Sequence, residues 1–244
     1  MTTDWKLLEL AQRYDDYEPV RERALAYPIV FEELGLARRD CHVVLDYGCG
    51  AGKVSAQIAR EYDVSVIAAD VSPGMLALAG QKRAHPRITY QLIAEDQRLD
   101  IREASVDAAL TCFVFVVIPE AERIRRIVHE VHRLLRPGAT YAIVDHNPDS
   151  VGLPFTIARV GEAGRTYAAG DPLEIHLSTP AGPPVVVHDF FWPKDVVRGF
   201  LEEAGFHNIR IATPTLPPTF RGPEASRMQL ERTHPPYAIY FAQK

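Results

Sequence analysis

The chain has 244 residues, 47% hydrophobic and 24% charged, which suits one large α/β domain whose core needs no staple or metal. A formal net charge of -5 argues against a general nucleic-acid or anionic-membrane binder. Three cysteines, Cys41, Cys49 and Cys112, lack zinc-like spacing, so a disulfide framework or structural zinc site is not expected and a reducing cytoplasm suits them.

The first residues carry acids and Trp5 too early for a signal peptide, and read instead as a helix over residues 5–17. The longest apolar run, residues 108–119, is too short to cross a bilayer, so the expected setting is a soluble cytoplasmic protein, monomer or homodimer. Residues 43–45 (Val-Val-Leu) form a buried-strand run that ends at Asp46 and a glycine cluster, after which Val54, Ile58 and Ala59 recur at helical spacing. A second strand, residues 64–69, ends at Asp70. Ser72 caps a helix that opens on Pro73 and turns Met75, Leu76, Leu78 and Ala79 inward. Third and fourth strands follow at 88–93 and 106–113.

The strongest helical pattern comes next. Ile124, Ile127, Val128, Val131, Leu134 and Leu135 share one face, and Pro137-Gly138 is read as its stop. Arg123, Arg125, Arg126 and Arg133 fall mostly on the other face, as a solvated surface. Residues 141–144 give strand five, 194–205 another amphipathic helix, and 209–211 and 237–242 the last strands. Apolar strands alternating with helices predict a mostly parallel sheet wrapped on both faces by right-handed crossovers, with ligands bound beyond the carboxyl ends of the strands.

Residues 147–193 break the alternation. They are rich in proline and glycine, contain two strand-like runs (173–179 and 185–192), and read as a lid or acceptor wall. The expected division is one domain: a helical cap over 1–35, a cofactor-binding core over 36–146, the lid over 147–193, and a C-terminal return to the sheet over 194–244.

Two motifs carry chemistry. In Asp46-Tyr-Gly48-Cys49-Gly50-Ala-Gly52-Lys53 the alternating glycines let the backbone turn out of the first strand and approach a ligand. A dinucleotide fingerprint would want glycine where Lys53 stands. Asp70, ending strand two, can accept both hydroxyls of a ribose. Just after strand five, Asp145 and His146 are placed to act as a base on an acceptor that arrives protonated. Phe155, Tyr167, Phe191 and Trp192 make the lid aromatic, which suits a flat acceptor. His176, and His188 with Asp189, lie on the same lid; no metal site is expected from them.

The glycine run, followed by Asp70-Val71-Ser-Pro-Gly-Met75-Leu, resembles the class I S-adenosylmethionine-dependent methyltransferases. The likeness covers about residues 40–145 and resumes at 200–206. It implies a Rossmann-like seven-stranded sheet with a reversed last hairpin, and S-adenosylmethionine as cofactor. It further implies Gly48, Cys49, Gly50 and Gly52 around the methionine part, with Asp46 helping to hold the amino group. Asp70, Val71 and Met75 would meet the ribose side, Glu95 or Asp96 the adenine, and Cys112 and Phe113 the region of the sulfonium. Tyr14 and Tyr17 resemble the N-terminal cap that closes over cofactor and acceptor in small-molecule members. Trp192 and the tail around Thr233-His-Pro-Pro-Tyr-Ala resemble toxoflavin-type N-methyltransferases of bacterial secondary metabolism. The implied activity is methyl transfer to oxygen or nitrogen of a small aromatic or heteroaromatic natural product. A non-methylating protein on the same fold and an NAD-dependent oxidoreductase are the alternatives.

Overall fold

Apolar runs become the central parallel strands because they are covered on both faces, where branched side chains pack without alternation, while the edge strand at residues 88–92 is only partly covered. The computed structural model describes residues 15, 17, 19–94, 97–178 and 185–244. Strands β1 (Val43–Tyr47), β2 (Ser65–Asp70), β3 (Ile88–Leu92), β4 (Val106–Cys112) and β5 (Leu135–His146) join β9 (His207–Ala212) and β10 (Tyr237–Gln243) in one sheet. Its order is β3-β2-β1-β4-β5-β10-β9, and β10 runs antiparallel to both neighbours, as the reversed-hairpin expectation has it. The order reverses at β1, so the β1 and β4 ends open the crevice where such sheets bind ligands.

The layers follow from the sequence faces. Helix α3 (Lys53–Glu61) buries Val54, Ile58 and Ala59 against one side of the sheet, together with the short helices α1 (Val20–Leu25) and α2 (Tyr27–Glu33). Helix α5 (Ala121–Leu134) and α6 (Lys194–Glu203) cover the other side through Ile124, Ile127, Val131, Phe200 and Leu201. Helix α4 (Pro73–Arg83) starts as expected, with Ser72 Oγ accepting from Met75 N at 3.2 Å and Pro73 in the first turn; Leu76 is only half-buried. Among the described residues no helix is long and apolar enough to cross a membrane.

Two local expectations change. Helix α5 ends at Leu134 and the chain passes straight into β5, so Leu135, Pro137 and Gly138 belong to the strand. Pro137 is tolerated because the β4–β5 register breaks there, between Val106 and Ala108, and needs no ladder donor at that point. Of the basic cluster, Arg125 is answered by Glu122 and Glu203 and Arg126 by Glu122, on the surface, but Arg133 is half-buried against Glu130 at 2.7 Å.

The lid forms its own antiparallel sheet in the order β6 (Ala158–Val160), β7 (Pro172–Leu177), β8 (Val185–Phe190). The three residues of β6 are too few to leave a periodic signal. Strand alternation turns Ile175, Leu177, Val185 and Val187 inward and leaves Glu174 and Val186 exposed. At the opposite margin Asp15 is gripped by Lys82 and Arg83, each at 2.7 Å, with Lys53 at 3.9 Å. Burial opposes ionisation of Asp15, but these cations outweigh it and hold the carboxyl below its usual range. The rest of the expected N-terminal helix, Tyr14 included, lies outside the described residues.

Candidate functional site

A cavity of about 400 Å³ opens over the carboxyl ends of β1, β2, β4 and β5, between the sheet, α1 and the lid. One end is built by the glycine loop. Gly48 N and Cys49 N both donate to Ala69 O, at 2.7 and 2.9 Å, which folds the loop back over β2. Gly48 has φ +80 and packs against Val114, where a Cβ would approach to 2.3 Å. Gly50 has φ +53, and a Cβ there would meet no protein atom within 4 Å, so its backbone stands open to a ligand.

Asp70 locks this loop. One carboxylate oxygen accepts from Gly50 N and the other from Ser72 N, each at 2.8 Å, so one side chain sets both the loop and the start of α4. Burial raises its pKa against these hydrogen bonds. Val71, Met75 and Ile93 continue the wall with Gln97, whose backbone is left-handed (φ +67) and whose carbonyl accepts from Tyr47 Oη at 2.9 Å. Glu95 and Asp96 lie outside the described residues, between two positions that border the cavity.

Asp46, Cys49 and Gly52 support the loop from behind and do not border the cavity. Asp46 is fully buried and accepts from Ser55 Oγ on α3, and burial pushes its carboxyl up to about 6. Gly52 lies close to the Tyr90 hydroxyl and caps α3. The Cys49 and Cys112 thiols are both pushed well up by burial, which suits inert side chains.

The other end is built by Cys112, Phe113 and His146 from the sheet, Tyr17, Arg21 and Glu22 from the cap, and the inner lid face. Phe113 holds φ +57, a left-handed conformation that costs a side-chain-bearing residue about 1–3 kcal/mol and is kept by Phe113 N donating to Val144 O at 2.8 Å. Its ring lies 5.2 Å from the His146 ring and 5.6 Å from that of Tyr237. His146 Nε2 lies 3.3 Å from Asp189 Oδ2 on β8.

Several expected site residues stand elsewhere. Asp145 and His146 are neighbours on β5, so strand alternation sends them to opposite faces. Asp145 does not border this cavity; it borders a small void with Trp192 and Tyr240, without hydrogen-bond partners. Burial, and then Asp189, raise its pKa well above the usual carboxylate value. The aromatic lid residues are mostly packing groups. Trp192 Nε1 donates to Ile118 O, Tyr167 stacks on Phe191 at 5.8 Å, and Phe155 packs on the Arg21 guanidinium. His176 faces outward beside Glu174. The lid wall of the cavity is aliphatic instead, made by Ala158, Ile175, Leu177 and Val187.

The sequence reading missed Arg21, Glu22, Gln97 and Arg123, all of which border the cavity. Arg123 was placed on the solvated face of α5. A helical-spacing test separates apolar from polar faces but cannot tell water from a polar cavity. Asp189 had a usable signal: it is an acid at an inward position of an apolar strand, in phase with Val185 and Val187.

Comparison with known proteins gives three findings. Residues 44–138 match the family described as "Methyltransferase domain". The chain is 34% identical over 222 residues to an N-demethylindolmycin N-methyltransferase of Streptomyces griseus, covering 89% of this chain and 93% of that protein. Its fold is similar to an S-adenosylmethionine-dependent methyltransferase from Mesorhizobium loti (TM-score 0.62, 19% identity, 89% of this chain and 97% of that one) and to the CcbJ methyltransferase of Streptomyces caelestis (TM-score 0.63, 18% identity, 93% and 97%).

Proposed function

The chain belongs to the class I S-adenosylmethionine-dependent methyltransferases, and from that premise we propose that it methylates a nitrogen of a small, flat, largely apolar heteroaromatic natural product. The observation that carries the reading is the continuity of one cavity from Gly50 and Asp70 to His146 beneath an aliphatic lid. The likeness to an N-methyltransferase over 89% of the chain favours nitrogen over oxygen.

The residues present fit the cofactor. The open backbone at Gly50 accommodates its methionine part, and Asp70 keeps carboxylate lone pairs for ribose hydroxyls while it holds the loop. Val71, Met75 and Ile93 give an apolar slot for a flat base, and Gln97 adds polar groups at its edge. S-adenosylmethionine supplies, when bound, a methyl group already activated by positive sulfur, so the protein's work is alignment and exclusion of water. Phe113 and Cys112 pass between the two halves of the cavity and fix the approach. Tyr17, Arg21 and Glu22 close the cap side, and His146 takes the proton that a neutral nitrogen must lose.

The test is a panel of heteroaromatic amines and the matching phenols, incubated with enzyme and S-adenosylmethionine. Release of S-adenosylhomocysteine should require an acceptor, and NMR of the product should show a methyl group on nitrogen. Turnover confined to phenols would overturn the choice of nitrogen. Cofactor binding with no turnover on either set would favour a non-methylating protein.

A further inference from the structure

The glycine loop holds the cap as well as one end of the cavity. Lys53 follows Gly52 directly, at the position where a dinucleotide loop would need glycine, and its Nζ donates to the Tyr17 carbonyl. The same ammonium lies 3.9 Å from Asp15 Oδ1. Arg83, in the last turn of α4, reaches the loop and the cap at once. Its Nη1 donates to Ala51 O at 3.0 Å, and its Nη2 lies 2.7 Å from Asp15 Oδ1. Lys82 Nζ donates to the other carboxylate oxygen of Asp15 at 2.7 Å. The loop from Gly50 to Lys53 is thereby tied to the cap at two points.

These ties are not ordinary surface pairs. The Asp15 side chain is 2% exposed, and those of Arg83 and Lys53 are 17% and 19% exposed, so the charges meet where solvent screens them weakly. One guanidinium serves a carbonyl inside the loop and a carboxylate on the cap, and its rigid fork fixes their spacing. Helix α4 joins this clamp to the ribose side of the cavity: Asp70 and Ser72 set its first turn, and Lys82 and Arg83 close its last. On the cap, Tyr17 Oη donates to Glu22 at 3.0 Å, and both residues border the cavity. Asp15, Lys53, Lys82 and Arg83 do not border it.

We propose that Asp15 is a positioning residue: clamped by Lys53 and Arg83, it makes the glycine loop and the cap one coupled unit, so that cofactor seated at Gly50 also holds Tyr17 and Glu22 in place beside the acceptor. The inference rests on the reading that the glycine-loop end of the cavity takes the cofactor. A shift of the Ala51 carbonyl is felt at Asp15 because both share the Arg83 guanidinium, and groups in one such network do not respond independently. The coupling is reciprocal, so a docked cap tightens the cofactor by the factor with which the cofactor docks the cap. The acceptor wall is therefore complete only in a cavity already loaded with cofactor. Lys53 acquires a reason for standing where a dinucleotide loop has glycine, since its side chain is one of the two ties.

Hydrogen exchange and calorimetric titration of the full-length protein with S-adenosylhomocysteine test the coupling without an acceptor. In wild type the ligand should slow exchange of the α1 amides by about tenfold or more. Asp15→Asn should lose most of that protection and bind the ligand about five- to fiftyfold more weakly, although Asp15 does not border the cavity. Asp15→Glu should recover part of both. Arg83→Gln should behave like Asp15→Asn, and the double variant should lose less affinity than the product of the two single losses, because both changes break one clamp. Wild-type affinity and protection in Asp15→Asn, or losses that multiply in the double variant, would overturn the proposal. Asp70→Ala separates the two readings. Weakened binding there beside a normal Asp15→Asn removes the coupling alone, while normal binding in Asp70→Ala removes the cofactor site and the coupling with it.

Discussion

The Tyr237 hydroxyl donates to the Glu22 carboxylate at 2.7 Å and accepts from Arg21 Nε at 2.8 Å, tying the N-terminal cap to the last strand of the sheet. Tyr17 Oη donates to the same carboxylate at 3.0 Å. One wall of the cavity is thus set by residues more than 200 positions from their anchor.

Replacing that anchor tests its worth. Tyr237→Phe leaves Arg21 and Glu22 each one partner short in a buried setting, at a cost of about 1–3 kcal/mol in urea unfolding. The acceptor KM should rise, since Tyr17, Arg21 and Glu22 border the cavity. Unchanged stability would mean that water replaces the hydroxyl.

Asp70→Ala removes a carboxylate that accepts from Gly50 and Ser72 at once. Cofactor affinity should fall by about five- to 150-fold, the equivalent of about 1–3 kcal/mol. Isothermal titration with S-adenosylhomocysteine measures it, and an unaltered dissociation constant would remove Asp70 from the binding site.

Val187→Phe puts a ring into the aliphatic lid wall while leaving the glycine loop untouched. The acceptor kcat/KM should fall by at least about tenfold, with cofactor affinity within about twofold of wild type. Equal losses in both would show that the lid acts on the cofactor end.

Asp46 makes a signed prediction about pH. Its folded pKa is raised from 3.8 to about 6 by burial, so the folded state holds the proton more tightly than the unfolded one. Its contribution to stability is full below about pH 4, is lost as pH rises toward about 6, and then stays flat, a total near 3 kcal/mol. Urea unfolding across that range should show a smaller decline in Asp46→Asn, whose side-chain oxygen can still accept from Ser55. Parallel wild-type and variant curves would exclude the effect.

The sheet, the glycine loop and Asp70 were legible in the sequence because each depends on local pattern: an apolar run, a glycine spacing, an acid at a strand end; the reversed last hairpin followed only from the family resemblance. The aromatic lid was misread for a physical reason. Trp192 and Tyr167 are large enough to bury themselves against Ile118 and Phe191, so composition pointed to aromatic walls where packing put aliphatic ones.

By itself, then, the sequence determined the α/β order, which follows from periodicity, and its contiguous motifs, through the family they resemble, determined the class of chemistry. Tertiary structure alone decided which acid meets His146. Asp145 is adjacent in sequence, but the two-residue period of a strand turns it away; Asp189 is distant, but the pairing of the lid strands brings it to 3.3 Å. Contacts across strands depend on register and on how the layers stack, and no stretch of the chain records either on its own.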